Sequence, residues 1–501
     1  MKVKYRTIHL FSLCWLSVSI MIFLLAWCHW YIAILLVVAM CYILKRFHTS
    51  LDTESSIEMS RKKLVLAMIT IIAMMVLCGI GGYVVQPNDH YYRNSWFIDM
   101  INYDWPIYNT KENLYMCYYF TFWLVPALVG KICNSIDIGF CAQLIWISIG
   151  FYLLFLEMCI YIGKTKLGAL LIFYCFAGWK IVECLLYFPI FGGNTFRNTI
   201  MTLAINGSPG IFHAGPIVQL LYDPFNQTIP LFLSMMLILN NRKSKYIPFV
   251  YSIVLYYAPF PFIGLAPIVL YLFIQNTNWH SIWTWVKSWF SFSNIIALIL
   301  ILLIGLFYMA NINASHQGLR STSNIIADSY SFILYMIFEF GIFIVIGYSV
   351  CEDKRLLLVA VISVCVLGWF QIGEHNDFCF RSNMPLIFII CLLVIKRYYS
   401  MSKNNKIRKI IIACILIGAI PSQIHPTLRY ISTGLIIANI DQSSLNKYQS
   451  FYDVNNMWVM QQKVIRNDDF GSIFEKPKGF DWTVNSLKAS PDSFFFKYLA
   501  K

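Results

Sequence analysis

Residues 64–108 read LVLAMITIIAMMVLCGIGGYVVQPNDHYYRNSWFIDMINYDWPIY. Two unlike stretches meet here. Leu64 to Gln86 is apolar and long enough to cross a bilayer core about 30 Å thick. Asn88 to Tyr108 follows at once, with three carboxylates (Asp89, Asp99, Asp104), one arginine (Arg93) and many aromatic residues. Charges held this close to hydrocarbon are costly unless they face water or serve a site. The segment is therefore the first place to look for chemistry. Its plainer reading is a solvated loop in which Asp89 and Arg93 pair one helical turn apart.

The rest of the chain agrees with a membrane setting. Of 501 residues, 59% are hydrophobic and 12% charged, against about a quarter charged in soluble domains. The net charge of +14 does not form a stripe suited to nucleic acid. Most lysines and arginines instead sit in short clusters between apolar runs, the orientation signal of membrane proteins. The 15 cysteines are scattered without a C-x-x-C pair, so they read as small apolar residues, not as a metal or disulfide framework.

Lys2, Lys4 and Arg6 precede an apolar run from His9 to Cys28, and a second run, Tyr31 to Leu44, follows directly. This predicts an uncleaved helical hairpin with a cytoplasmic N-terminus. Lys45, Arg46, Arg61, Lys62 and Lys63 bracket a cytoplasmic loop, and Leu64 to Gln86 is the third span. Tyr115 to Ile132 is apolar but short and carries Pro126. Placing it in the interface, or as a re-entrant segment, puts the later positive clusters on the inside. Further spans are expected near 138–162, 167–185, 227–241, 246–258, 261–275, 294–310, 330–350, 355–371, 384–397 and 409–422. The expected fold is all-α: a polytopic transmembrane helical bundle of about 13 spans. It divides into an N-terminal hairpin and loop (1–63), a transmembrane core (64–422) and a small extracytoplasmic tail (423–501). By this assignment most of the 38 lysines and arginines fall on the cytoplasmic side. The Trp-rich segment Asn276 to Phe292 predicts an amphipathic helix in the headgroup zone. Lys180 and Glu183, three apart within a span, are expected to pair. No internal repeat is visible.

The unusual polar segments then gather on the outer side. They are the opening stretch; the loop 188–226 with Arg197, His213 and Asp223; Asn311 to Asp328 with His316 and Arg320; and Gly373 to Arg381, read GEHNDFCFR. Arginines at this depth suit phosphate, because the guanidinium fork holds two oxygens. Carboxylates suit a general base or a divalent cation. The histidines lack zinc-site spacing and suit hydrogen bonding. Together these residues point to attack on a membrane-embedded phosphate or phosphodiester substrate.

At Asp89 the pattern resembles the first outer loop of the type-C (GT-C) membrane glycosyltransferases. In that superfamily an early span is followed by an acidic residue, a Tyr, a helix and a D-W-x-x-P-like element. The corresponding residues here are Asp89, Tyr92, Arg93 to Met100, and Asp104-Trp105-Pro106. Tyr115 to Pro126 resembles the interfacial region that follows. The chain also resembles a group of bacterial membrane proteins of GT-C-like layout, through DWP, the YYF…PALVGK run and NDFCFR at Asn376 to Arg381. It departs from the superfamily where His90 follows Asp89 in place of a second acid, and a K-P-P-L-like element is absent.

The resemblance implies a polyprenyl-phosphate-linked sugar donor entering from the outer leaflet. Asp89 would act as general base on the hydroxyl of a glycan, lipid or protein acceptor. Arg381 and Arg320, or Arg93 and Arg197, would neutralise the leaving phosphate. Asn376 and Asp377 would bind sugar hydroxyls or help hold a divalent cation. Asp104 would position the loop, Trp105 would stack on a sugar, and His316 and His375 would hydrogen-bond substrate. The implied setting is a bacterial inner membrane and a surface-polysaccharide pathway. The rival function is a transporter, flippase or glycan polymerase relying on intramembrane Glu157, Glu183 and Glu339; a second rival is an assembly protein that acts through its tail.

Overall fold

The computed structural model describes residues 2–83, 88–109, 113–204, 209–212, 214–277, 281–312, 324–370, 372, 376–402, 405–420 and 488–501. The protein is helical and membrane-embedded, and among the described residues seven helices are long and apolar enough to cross a bilayer: Tyr5–Trp27, Trp30–Ser50, Ile136–Ile162, Pro259–Asn276, Phe292–Met309, Ile325–Val350 and Asp377–Ser400. Several other expected spans form shorter or broken helices.

The chain opens with β1 (Lys2–Lys4), α1 (Tyr5–Trp27) and α2 (Trp30–Ser50). Strand β2 (Ser56–Glu58) pairs antiparallel with β1 at the lower end. Then come α3 (Arg61–Leu77), α4 (Asn88–Asn102), β3 (Tyr108–Asn109) and β4 (Leu114–Met116). A short 3-10 turn leads into α5 (Leu124–Ile132), and α6 (Ile136–Ile162) follows. Ser135 caps α6 by accepting from the Ile138 amide at 3.3 Å, and Gly163 ends it in the left-handed conformation.

The expected span at 167–185 is broken into α7 (Gly168–Tyr174) and α8 (Lys180–Phe191). Next are α9 (Thr195–Ala204), α10 (Ile217–Tyr222), α11 (Phe225–Asn240), α12 (Ile247–Tyr257) and α13 (Pro259–Asn276). The Trp-rich segment forms α14 (Ile282–Trp289), with Trp283 exposed, before α15 (Phe292–Met309). Helix α16 (Ile325–Tyr335) runs through a π turn at Met336–Gly341 into α17 (Ile342–Gly347). The chain then forms α18 (Lys354–Leu367), α19 (Asp377–Ser382), α20 (Met384–Ser400) and α21 (Lys406–Ala419). Of the expected C-terminal tail only 488–501 is described, as β5 (Lys488–Ala489) and α22 (Phe494–Tyr498).

Two helices make the axis. Every residue of α20 from Met384 to Ile395 is buried, and α11 is buried from Phe225 to Leu239. Such all-round apolar helices belong at the centre of a bundle. Helices α2 and α3 lie outside, turning Trp30, Leu35, Val38, Val65 and Ile69 outward, as a lipid-facing layer would. In lipid the hydrophobic effect does not drive helices together, so close packing and internal hydrogen bonds hold them. Gly264 of α13 lets that helix meet the backbone carbonyl of Ser382, where a Cβ would collide. That contact fixes α19.

The upper end is closed by the C-terminal segment. Strand β5 pairs with β4, which pairs with β3. The His29 amide donates to Leu499 O at 2.9 Å, and the Lys501 amide to Trp27 O at 3.0 Å. Phe495 sits between Phe23 and Phe307. Both ends of the Tyr115 to Ile132 segment lie at this upper end. Tyr115 is held there by β5, and Lys131 donates to Tyr103 O at 2.7 Å. Between them Phe122 reaches down to Trp15, midway along α1. The 12 residues Thr121–Ile132 extend only about 18 Å as a helix.

Glu157 of α6 is buried, and its carboxylate is fully engaged. His9 Nδ1 lies 2.9 Å from both oxygens, Ser12 Oγ donates at 2.9 Å and Asn240 Nδ2 at 2.8 Å. This group ties α1, α6 and α11 together. Removing one partner of a buried ionic group typically costs about 3 kcal/mol or more. Glu157→Ala is therefore expected to lower the thermal unfolding midpoint of the detergent-purified protein clearly. A melting curve matching wild type would show that the cluster carries no stability.

Candidate functional site

Four segments far apart in sequence meet at the upper end. The first is α4. Asp89 lies in its first turn, four residues before Arg93, the spacing that shares one helix face. Arg93 is buried; its Nη1 donates to the Asp223 carbonyl, and its Nη2 lies 3.7 Å from Asp223 Oδ1. The guanidinium also lies 5.9 Å from the centre of the Phe225 ring. The expected neighbourhood of Arg93 is thus built with Asp223, 130 residues away. His90, also buried, donates from Nε2 to the Tyr222 carbonyl.

The second and third segments are Tyr118-Tyr119 and α19. Arg381 donates from Nη1 to the Tyr119 hydroxyl at 3.0 Å, and its Nη2 lies 3.3 Å from Asp377 Oδ1, one turn back. Its Nε is buried without a hydrogen-bond partner among the described residues. Tyr118 donates to the Tyr119 hydroxyl and packs edge-on against Trp96. Burial pushes its phenol well above the ordinary range, so it keeps its proton at neutral pH; Arg381 and Arg93 both act on it in the opposite sense. Arg381 in turn feels Asp377, Tyr119, Tyr118 and Asp223. Arg93, buried, and Arg381, half-buried, therefore both act on one tyrosine pair.

The fourth segment is the 222–227 turn. Asn226 and Gln227, at the start of α11, are fully buried, and their side-chain amides have no partner among the described residues. Unsatisfied buried amides cost free energy unless something completes them.

Asn376 adopts a left-handed φ of 55°, which Asn tolerates better than most residues. Its Oδ1 caps α19 at the Cys379 amide, and its Nδ2 donates to Ile211 O at 2.6 Å. Its amide thus caps α19 and ties it to the Ile211 backbone. Asp377 stays half exposed beside Arg381. Asp104 is fully exposed and lies 3.5 Å from Lys131, away from the arginines. Trp105 donates to Met100 O at 2.9 Å and packs on Trp27, closing its own loop. Lys180 and Glu183 do not pair: Lys180 Nζ donates to Ala214 O at 3.0 Å, and both Glu183 oxygens lack a hydrogen-bond partner among the described residues. Arg197 stands on α9. His213, His316, Arg320 and His375 lie outside the described residues.

Sequence reasoning placed Asp223 in a polar outer loop without giving it a role, and assigned none to Tyr118, Tyr119, Asn226 or Gln227. The aromatic doublet and the polar DPFNQ turn inside an apolar region were the available signals. Among the described residues no three His, Cys, Asp or Glu side chains converge. The site carboxylates Asp223 and Asp377 each face an arginine instead, so this set does not suit a divalent cation.

The fold and site define a helical membrane-embedded protein in which two arginine–aspartate pairs stand around a tyrosine doublet at one end. The chain matches no protein-family model, no curated protein and no solved structure.

A guanidinium fork and an ammonium differ most where two oxygens are held at once. Arg381 holds the Tyr119 hydroxyl and the Asp377 carboxylate with separate nitrogens, so Arg381→Lys is expected to cost the detergent-purified protein about 1–2 kcal/mol of stability, read as a lower thermal unfolding midpoint. A melting curve matching wild type would show that the two contacts carry no stability.

Proposed function

We propose that the chain is a membrane glycosyltransferase of GT-C type that uses a polyprenyl-phosphate-linked sugar as donor. The observation that carries this reading is the approach of Arg93, buried on the helix whose first turn holds Asp89, and half-buried Arg381 to the Tyr118–Tyr119 pair. Two fixed guanidinium groups suit a phosphate that gains charge as it leaves. In the proposed reaction Asp89 takes the proton of an acceptor hydroxyl. The hydroxyl oxygen attacks the anomeric carbon, the bond from that carbon to the phosphate oxygen breaks, and the lipid phosphate departs with both electrons. Arg381 and Arg93 neutralise the charge, and the Tyr119 phenol, which accepts from Tyr118 and Arg381, donates a hydrogen bond. Asn226 and Gln227 offer amides for sugar hydroxyls.

In this reading the upper end is extracytoplasmic, the N-terminus is cytoplasmic, and Tyr115 to Ile132 re-enters without crossing. The acceptor is a glycan, lipid or protein in a surface-polysaccharide pathway. A second reading, a transporter, flippase or polymerase, draws on the buried group Lys180, Glu183 and Glu339. Glu157 no longer supports it, since its oxygens are engaged.

Asp89→Asn separates the two. A strain carrying it is expected to accumulate the lipid-linked sugar and lose one residue from its surface glycan, just as a strain lacking the protein does, as measured by mass spectrometry. Wild-type glycan from Asp89→Asn, with normal membrane insertion, would sink the transferase reading.

A further inference from the structure

Away from the arginine–tyrosine cluster, a polar stripe runs down one face of α16. Asp328, Ser331, Tyr335 and Glu339 are spaced by three and four residues, which places them on one side of a helix. All four are buried, Ser331 and Tyr335 completely. The stripe begins at the upper end, beside Ile211 and Asn376. Phe212 packs on Phe332 and Tyr335, and a Cβ on Gly210 would strike Ser331. From Asp328 to Glu339 the helix descends about 16 Å, roughly half of a bilayer core.

Three features mark its lower end. Glu339 stands in the π turn, and such turns recur at functional sites. The facing backbone, Cys175 to Trp179, is the break between α7 and α8. Gly178 lies so close to Glu339 that no Cβ fits there, and the Trp179 amide donates to Phe338 O at 3.0 Å. Lys180 and Glu183 follow on the first turn of α8. Glu183 and Glu339 act on each other electrostatically, and Lys180 acts on both. The oxygens of Glu183, one oxygen of Glu339 and the Ser331 hydroxyl have no hydrogen-bond partner among the described residues.

Charge counting then decides the ligand. Two carboxylates and one ammonium, all buried, leave one negative charge in excess, and an unbalanced buried charge is costly. A proton is the smallest group that removes it. The other charged or titratable groups near this site are few. Tyr335 and Cys184 flank it. Asp328 acts on Tyr187 of α8 one level up. Helix α9, packed on α8, carries Arg197. Helix α21 meets Trp179 at Ile415 and keeps Lys406, Arg408 and Lys409 in its first turns, below that contact.

We propose that Glu183 and Glu339 share one exchangeable proton at mid-depth, and that Asp328, Ser331 and Tyr335 form the path by which it is reached from the upper end. The site uses none of the residues of the arginine–tyrosine cluster, so it stands or falls independently of the transferase reading. It gives the protein a protonation-dependent step driven from one face of the membrane.

Infrared difference spectroscopy of the full-length protein in lipid nanodiscs, titrated with pH in H2O and D2O, tests this directly. Wild type is expected to show a protonated-carboxyl band that shifts in D2O and is lost in both Glu183→Gln and Glu339→Gln. Asp328→Asn is expected to keep the band but slow its exchange with D2O about tenfold. If the glutamine variants fail to fold, Glu339→Asp should still move the band. A band unchanged in these glutamate variants, or one abolished by Na+ at fixed pH, overturns the proton site. Exchange at the wild-type rate in Asp328→Asn overturns the path.

Discussion

Inside a bilayer a polar group has no water to turn to, so it must find its partner within the chain. The rest of this structure follows from how each buried polar group meets that demand. Glu157 meets it completely, with His9, Ser12 and Asn240 arranged around one carboxylate. The result is a fixed crossing of α1, α6 and α11, on which the central packing is built. The same demand explains the upper end, where β3, β4 and β5 join backbone groups that no helix satisfies.

Where the demand is met only in part, the chain has room for something else. Arg381 uses two of its nitrogens on Tyr119 and Asp377 and leaves Nε without a partner among the described residues. Asn226 and Gln227 leave whole amides open. These groups lie where Arg93, Asp223 and Tyr118 also meet. A second incomplete place lies lower, at Glu183 and Glu339. The two differ in charge: around the tyrosines each arginine faces an aspartate, while the lower group has a carboxylate in excess. A helix break and a π turn accompany the lower group, and each frees backbone that a regular helix would keep occupied.

Parts of this were legible in the chain itself. Apolar runs marked the long helices at 5–27, 136–162 and 292–309, because length and hydropathy alone set what can span. The shortness of Tyr115 to Ile132, with Pro126 inside it, also marked that segment as unlike the long spans. Arg93 and Arg381 could be singled out, since arginine near hydrocarbon demands a reason. What joined them could not be read: Asp223 and Tyr119 are separated from their partners by 130 and 262 residues. The capping of α19 by Asn376 was equally invisible, since it depends on the left-handed backbone at that residue.

The sequence by itself determined that this is a membrane-embedded helical protein with polar, aromatic segments between its spans. Those properties depend on local composition, and a bilayer reads composition directly. The tertiary structure alone decided which charges are neutralised and which remain poised. Lys180 and Glu183 illustrate the reason. Their spacing favours a pair on an isolated helix, yet Lys180 is drawn to the Ala214 carbonyl and Glu183 is left facing Glu339. Within a packed bundle the nearest partner is set by how helices cross, and no local pattern encodes that.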